Sequence, residues 1–235
     1  MFSQTAQYYD LIYSTFKDYV AESDQIARLI RAGKPDARSV LDVACGTAEH
    51  ARLLEEKHGF EVDGLELEPA FVRIARGKLR SGSVYEGDMV SFNVPRRYDV
   101  VLCLFSSIGY VKTLENVRRS FECFRVHLVE GGFMIVEPWF APDAFVPGRL
   151  SVDTASGEGI NVCRMSHGVV EDAISRIRFE YLIGTPTGIE RASEIHELGL
   201  FTNDQMLRCF AEAGLHAEFD PIGIFGRGLY IARSA

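Results

Sequence analysis

From residue 39 onward the chain alternates between short apolar runs and stretches whose apolar residues recur every three to four positions. Ser39–Val43 is a short apolar run ending in a polar loop, the pattern of a buried strand. Residues 48–58 carry Ala51, Leu53 and Leu54 at helical spacing and are closed by Gly59, a good helix terminator. Residues 60–66 predict a second strand. Residues 69–79 open with a proline suited to a first helical turn and again show helical spacing. Residues 84–85 predict a brief third strand. Residues 99–105 predict a fourth, apolar enough to be buried on both faces. Thr113 caps a helix in which Leu114, Val117, Phe121, Phe124 and Leu128 form one stripe, and Gly131-Gly132 turn into a fifth strand at 133–137. Strands separated by helices of this length predict a parallel sheet with helices on both faces.

After Trp139 the period shortens. Between about residues 150 and 200 the chain reads as extended segments at 161–170, 174–183 and 193–200, an antiparallel sheet inserted as a cap over the core. Helical pattern returns at Thr202-Asn203-Asp204-Gln205, a capping box in which hydroxyl and amide each satisfy the other's free backbone N–H. Gly214 ends that helix. Residues 215–219 and 228–232 predict two closing strands joined by the glycine-rich turn 223–228, with the last strand antiparallel in the sheet. The expected division is a core of residues 1–140 and 201–235, with a helical lid at its N-terminus, and a substrate cap of residues 141–200.

Composition narrows the function classes. The chain has 235 residues, 47% of them hydrophobic and 25% charged, enough for one domain with an insertion. Its net charge is 25 − 33 = −8 and it holds no dense run of Lys and Arg, so no nucleic-acid partner is expected. The longest apolar run, residues 100–105, is far short of a membrane span, and residues 1–7 lack a basic start and apolar centre, so no membrane association or secretory leader is expected. The cysteines, Cys45, Cys103, Cys123, Cys163 and Cys209, are odd in number and form no C-x-x-C pair. They read as reduced thiols of a cytoplasmic protein, and no metal site is expected.

The most informative stretch is Val40-Leu41-Asp42-Val43-Ala44-Cys45-Gly46-Thr47-Ala48. An acid lies near the end of the first strand, and small residues follow before a helix whose N-terminus offers free N–H groups. Glu66 ends the second strand, where a carboxylate accepts hydrogen bonds from a ribose diol. The glycine spacing fails the dinucleotide fingerprint, because Ala44 and Glu49 stand where glycine is needed. Asp42 would repel a pyrophosphate and attract a cationic amine. The ligand implied is a nucleoside carrying an amino acid, the chemistry of S-adenosylmethionine.

These elements, with Gly87-Asp88-Met89 and the buried fourth strand, resemble the class I S-adenosylmethionine-dependent methyltransferases. The resemblance implies a Rossmann-like, doubly wound, mostly parallel seven-stranded α/β sheet with an antiparallel last strand and an inserted antiparallel β cap. It also implies S-adenosyl-L-methionine as cofactor. Carried over residue by residue, Ala44 and Gly46, with Asp42 nearby, hold the methionine part, Glu66 the ribose, and Asp88 with Met89 the adenine. The loop departs from the family's common pattern at Ala48, where glycine is frequent; alanine adds only a methyl group and is expected to be tolerated. Leu104, ending the fourth strand, is expected to touch the adenosyl moiety.

A narrower resemblance covers nearly the whole chain. Tyr9-Asp10-Leu11-Ile12-Tyr13, Lys17-Asp18-Tyr19, the run from Phe105 to Tyr110, Glu137-Pro138-Trp139 and Gly226-Arg227-Gly228-Leu229 look like the nucleotide-sugar N-methyltransferases of desosamine and mycaminose biosynthesis. This implies N-methylation of a dTDP-linked amino-deoxy sugar, in a homodimer. Methyl transfer to a neutral amine is an in-line displacement governed by approach and alignment, and a general base is not required. Tyr13 and Tyr19 are placed against sugar and cofactor, although the aromatics of residues 8–19 would serve equally as a packed lid. A diphosphate needs cations, and guanidinium matches phosphate bidentately; the resemblance favours Arg176 as a substrate contact, with Arg227 second, and both would also suit a solvated sheet face. Trp139 stands at the ligand-binding edge of the sheet. If a base exists, His167 and His196 on the cap are the candidates, each with a structural alternative. Other acceptors, a glycine-type, polyamine or phenolic substrate, remain open, as does a binding module that has lost catalysis.

Overall fold

The structure, a computed structural model, describes residues 5–234, so the first four residues of the segment 1–7 lie outside the described residues. The chain opens with a turn of 3-10 helix (Ala6–Tyr8) running into α1 (Tyr9–Tyr13), then α2 (Tyr19–Gly33), whose start is capped by Asp18 accepting from Ala21 N–H at 2.9 Å. Then follow β1 (Ser39–Val43), α3 (Glu49–His58), β2 (Glu61–Glu66), α4 (Pro69–Lys78), β3 (Val84–Glu86), β4 (Tyr98–Cys103), a 3-10 turn (Ser107–Val111), α5 (Leu114–Val126) and β5 (Leu128–Val136). The cap strands are β6 (Leu150–Gly157), β7 (Ile160–Glu171), β8 (Ile174–Thr185) and β9 (Gly188–Gly199). The chain closes with α6 (Asn203–Glu212), β10 (Leu215–Asp220) and β11 (Leu229–Ser234).

Seven strands form one sheet in the order β10-β11-β5-β4-β1-β2-β3, and the four cap strands form a second sheet in sequence order. Neighbours from β5 to β3 run parallel; β11 runs antiparallel to both β5 and β10. Strand direction alternates side chains between two apolar layers. Leu41, Val43, Val101 and Met134 meet Phe121 and Phe124 of α5 and Phe210 of α6 on one face. Val40, Val62, Val100 and Phe133 meet Ile26 and Ile30 of α2, Leu54 of α3 and Val72 of α4 on the other. The Phe121 and Phe210 rings stack at 3.8 Å, fixing α5 against α6. The strand order reverses between β1 and β4, so the crevice beyond their carboxyl ends is where a ligand fits. The cap sheet covers that crevice: its inner face packs with Ile12 and Tyr13 in a third cluster containing Val162, Tyr181 and Ile183.

The structure departs from the sequence expectations in five places. The cap has a fourth strand, β6, where the mixed, turn-flanked residues 150–157 carry little alternation of their own and are ordered by pairing with β7. Leu128 belongs to β5, not to the α5 stripe, because the chain turns out of the helix at His127. Gly131-Gly132 lie within β5, as an irregularity where the β4–β5 register shifts between Tyr98 and Val100; Gly131 takes φ +70°, and a Cβ on Gly132 would sit 3.0 Å from the Asp99 carbonyl. Ala48 precedes α3 instead of opening it. Phe105 is not in β4: it and Ser106 take left-handed backbone (φ 50° and 64°) and turn the chain across the mouth of the sheet. Helix α2, which the sequence reading did not single out, packs its apolar stripe onto the sheet. No described helix is long and apolar enough to cross a membrane. All five cysteines are free thiols.

Candidate functional site

Beyond β1, three residues with left-handed backbone, Ala44 (φ 56°), Gly46 (φ 57°) and Ala48 (φ 61°), curl the chain into α3. Glycine takes this conformation without strain, whereas each alanine costs about 1–2 kcal/mol. The loop is held from both sides. Cys45 N–H donates to the Leu65 carbonyl at 3.0 Å, and the Cys45 thiol fills the space a Cβ on Gly64 would need, 2.7 Å from it. Gly46 N–H donates to Glu66 Oε2 at 2.9 Å, while Leu67 and Glu68 N–H donate to Oε1 at 2.9 and 2.8 Å. A carboxylate has about four acceptor positions, so about one remains for a ribose hydroxyl, not the two expected for a diol. Burial pushes the Glu66 carboxyl above its ordinary pKa, against those three N–H groups. Burial, with Glu66 nearby, pushes Asp42 up to about 7.

One pocket, of about 400 Å³, is lined by Tyr9, Lys17, Tyr19, Asp42, Ala44, Cys45, Gly46, Thr47, Glu49, His50, Leu104, Phe105 and Ser107. It sets an anion, Asp42, and a cation in one pocket, the pairing that an amino acid's ammonium and carboxylate require. The cation is Lys17, whose side chain is fully buried: Nζ lies 3.6 Å from the Phe105 ring centre and 4.0 Å from that of Phe225. It forms an ion pair with Glu22 Oε2 at 2.9 Å. Burial lowers its pKa to about 8, with Glu22 opposing. Asp10 of α1 accepts from Thr47 Oγ1 and from Lys78 Nζ, both at 2.6 Å, tying the N-terminal segment to the loop.

A second pocket, about 660 Å³ including its open mouth, extends past Ala44 between Leu65, Leu67, Gly87, Asp88, Met89 and Tyr110. Asp88 Oδ1 accepts from Val90 N–H at 3.0 Å, which fixes the turn. The third and largest, about 1150 Å³ including its open mouth, lies between the sheet and the cap. It adjoins the other two through Ala44, Gly46 and Met89, and is lined besides by Tyr13, Phe105, Tyr110, Trp139, Phe179, His196 and Arg227. Trp139 is oriented by its indole N–H donating to Ser175 Oγ at 2.8 Å. The Arg227 guanidinium stands among the rings of Phe105, Trp139, Phe140 and Phe225, 3.8 Å from Glu137; its Nε and Nη2 and Glu137 Oε1 are buried without hydrogen-bond partners among the described residues.

Most sequence-selected residues therefore converge. Asp42, Ala44, Gly46, Tyr19 and Leu104 line the first pocket, Leu104 touching that one and not the second. Asp88 and Met89 line the second, and Glu66, Tyr13, Trp139, Arg227 and His196 the large cavity. Two do not. Arg176 lies on the outer face of β8, because Ser175 and Ile177 take the inner positions; it pairs with Glu197 at 2.8 Å and Glu171 at 3.1 Å and is 45% exposed. His167 shares that outer face, since Arg164 and Gly168 point inward on β7. Arg178, also outward, pairs with Glu180. Sequence reasoning missed Lys17 and Tyr110 as individual residues, although both lie within motifs it quoted. A lysine flanked by aromatic residues is the signal it passed over.

The methyltransferase domain family profile matches residues 40–132. Over 229 residues the chain is 40% identical to dTDP-3-amino-3,6-dideoxy-alpha-D-glucopyranose N,N-dimethyltransferase of Streptomyces fradiae, covering 97% of this chain and 89% of that one. The crystal structure of Streptomyces venezuelae DesVI superposes with TM-score 0.92 at 37% identity, over 98% of both chains. The S-adenosylmethionine-bound structure of CalS10, an amino pentose methyltransferase from Micromonospora echinaspora involved in calicheamicin biosynthesis, superposes with TM-score 0.87 at 32% identity, over 97% of this chain and 96% of that one.

Proposed function

This chain belongs to the S-adenosylmethionine-dependent sugar N-methyltransferases, and from that premise we propose that it methylates the amine of a dTDP-linked amino-deoxy sugar. The residues fit the cofactor on the structure's own terms. Buried Lys17, ion-paired on one side with Glu22, has further N–H groups to offer a carboxylate, Asp42 offers an anion to an ammonium, and Glu66 retains an acceptor position for the ribose. Bound there, S-adenosylmethionine supplies an electrophilic methyl group. The chain does the rest by placement: the loop and Glu66 fix the nucleoside, Tyr13, Phe105 and Trp139 wall out water, and Arg227 receives the acceptor's diphosphate.

The observation that carries the acceptor reading is Arg227. A buried guanidinium 3.8 Å from Glu137, with two nitrogens that make no hydrogen bond among the described residues and caged by four rings, suits a phosphate oxygen far better than an uncharged acceptor. The outer face of the cap exposes Val152, Met165, Leu182 and Ile195, which supports a homodimer formed through a second copy of this sheet. The free thiols support a cytoplasmic setting. The likeness to a calicheamicin-pathway enzyme supports a place in antibiotic biosynthesis. Turnover against dTDP-3-amino and dTDP-4-amino deoxysugars and the corresponding free amino sugars, followed by mass spectrometry, tests the reading. Methyl gain on a nucleotide-linked sugar, with free sugars far slower, is the expected result. Methylation of free amino sugars at equal efficiency would contradict it.

A further inference from the structure

The large cavity contains a hydrogen-bonded chain that substrate placement does not require. Tyr110 Oη lies 2.7 Å from His196 Nδ1, and both residues line the cavity. His196 Nε2 faces Glu194 Oε2 at 3.4 Å. Glu194 in turn accepts from Thr5 Oγ1 at 2.6 Å and from Tyr181 Oη at 3.1 Å. His196 and Glu194 are both buried. Burial opposes the Glu194 charge, but the bonds from His196, Thr5 and Tyr181 outweigh it and hold the carboxyl below its ordinary range. An ionised Glu194 fixes the tautomer: Nε2 carries the hydrogen, and Nδ1 accepts from Tyr110. The Phe179 ring stands edge-on to the imidazole at 5.1 Å and holds its plane. Among the described residues, Tyr9, Tyr13, Glu66, Tyr110 and Arg227 line the same cavity as this imidazole, and Tyr181 on β8 bonds to Glu194.

We propose that His196, reached through the Tyr110 hydroxyl and oriented by Glu194, is the proton acceptor that converts the bound sugar ammonium into the neutral amine that reacts. The inference rests on the amino-sugar reading above. An aliphatic amine is largely an ammonium at neutral pH and has no lone pair to offer until it loses a proton. In the step, an N–H bond of the ammonium breaks and its proton passes to Tyr110 Oη as the Tyr110 proton passes to Nδ1. The positive charge moves from amine to imidazole, where Glu194 balances it, and the proton later leaves to solvent. Tyr110 and His196 are the catalytic residues of this step; Glu194 is a positioning residue.

The test uses the full-length enzyme and whichever amino sugar the wild type turns over, so failure of the acceptor reading would show first, as absence of wild-type turnover on any amino sugar. His196→Gln keeps a hydrogen-bonding side chain but cannot take the proton, and Tyr110→Phe removes one oxygen only. Below the amine's pKa, kcat should fall about 100-fold in His196→Gln with S-adenosylhomocysteine affinity unchanged. The deficit should close as pH rises past the amine's pKa, because the substrate then arrives neutral. Tyr110→Phe should show the same rescue with a smaller deficit. Imidazole nitrogen NMR of the wild-type complex with S-adenosylhomocysteine and amino sugar should show one histidine becoming imidazolium on acceptor binding, and that signal should be missing in His196→Gln. A loss equal at every pH, an undiminished low-pH rate in either variant, or no imidazolium in the wild-type complex would overturn the proposal.

Discussion

Gly46 N–H donates to Glu66 Oε2 across 2.9 Å, so the loop after β1 and the acid ending β2 are one unit. Glu66 shapes the loop proposed to receive the methionine part, and it keeps an acceptor position proposed for the ribose. Glu66→Ala is therefore expected to weaken S-adenosylhomocysteine binding by about 10–100-fold, the loss of one or two charge-assisted hydrogen bonds. Glu66→Gln, which keeps one oxygen, should lose less. Calorimetry checks this, and unchanged affinity in Glu66→Ala would remove the ribose assignment.

Asp42 is expected to make cofactor binding depend on pH. Its carboxyl sits at about 7 in the free protein because of burial. A ligand ammonium selects the ionised form, so the proton must leave first at lower pH. Affinity for S-adenosylhomocysteine should be about tenfold weaker at about pH 6 than at about pH 8. Asp42→Asn should bind weakly at both and lose the slope. A flat affinity profile in the wild type would place the ammonium elsewhere.

The same group has an opposite effect on folding. A carboxyl whose folded pKa lies above its unfolded value favours the protonated form in the fold; that stability is complete below the unfolded pKa and lost as pH rises through about 7. Asp42→Asn without ligand should therefore melt higher than the wild type at about pH 8, while binding cofactor worse, an exchange of stability for function seen at active sites generally. Thermal melts of both proteins across that range decide it.

Lys17 and Arg227 should separate by ligand. Lys17→Met should weaken S-adenosylhomocysteine binding by about tenfold, since the buried cation proposed to meet the ligand carboxylate would be lost. Arg227→Met should raise KM for the nucleotide sugar by about 10–100-fold with cofactor affinity intact. Arg176→Ala, on the outer face of β8, should change neither, because its partners are Glu171 and Glu197. Steady-state kinetics with calorimetry of each variant checks the three together. A raised KM in Arg176→Ala would mean that the cap's outer face meets substrate.

The cofactor half was legible in the sequence because its determinants are local. The small residues between Asp42 and Ala48 and the acid at Glu66 sit at strand ends, and strands fix where strand ends go. The seven-stranded sheet followed from alternation of period for the same reason. The cap was less legible: β6 is held by pairing with β7 and has little pattern of its own. The side-chain direction on β8 was the costly error. Shifting attention by one residue along a strand exchanges the two faces, and Ile177 and Phe179, not Arg176 and Arg178, are the residues the cavity sees. Arg227 stands out in the sequence because it lies in a glycine-flanked turn, whereas the burial of Lys17 emerges only once Phe105 and Phe225, distant in sequence, close over it.

A crystal structure of the complex with S-adenosylhomocysteine and a dTDP-linked amino sugar tests the central claim most directly. It should show the ribose on Glu66, the methionine carboxylate at Lys17, the diphosphate on Arg227, and the sugar nitrogen facing both the sulfur and Tyr110. Adenosine bound away from Glu66, or a nucleotide sugar seated outside the cavity between β4 and the cap, would contradict it.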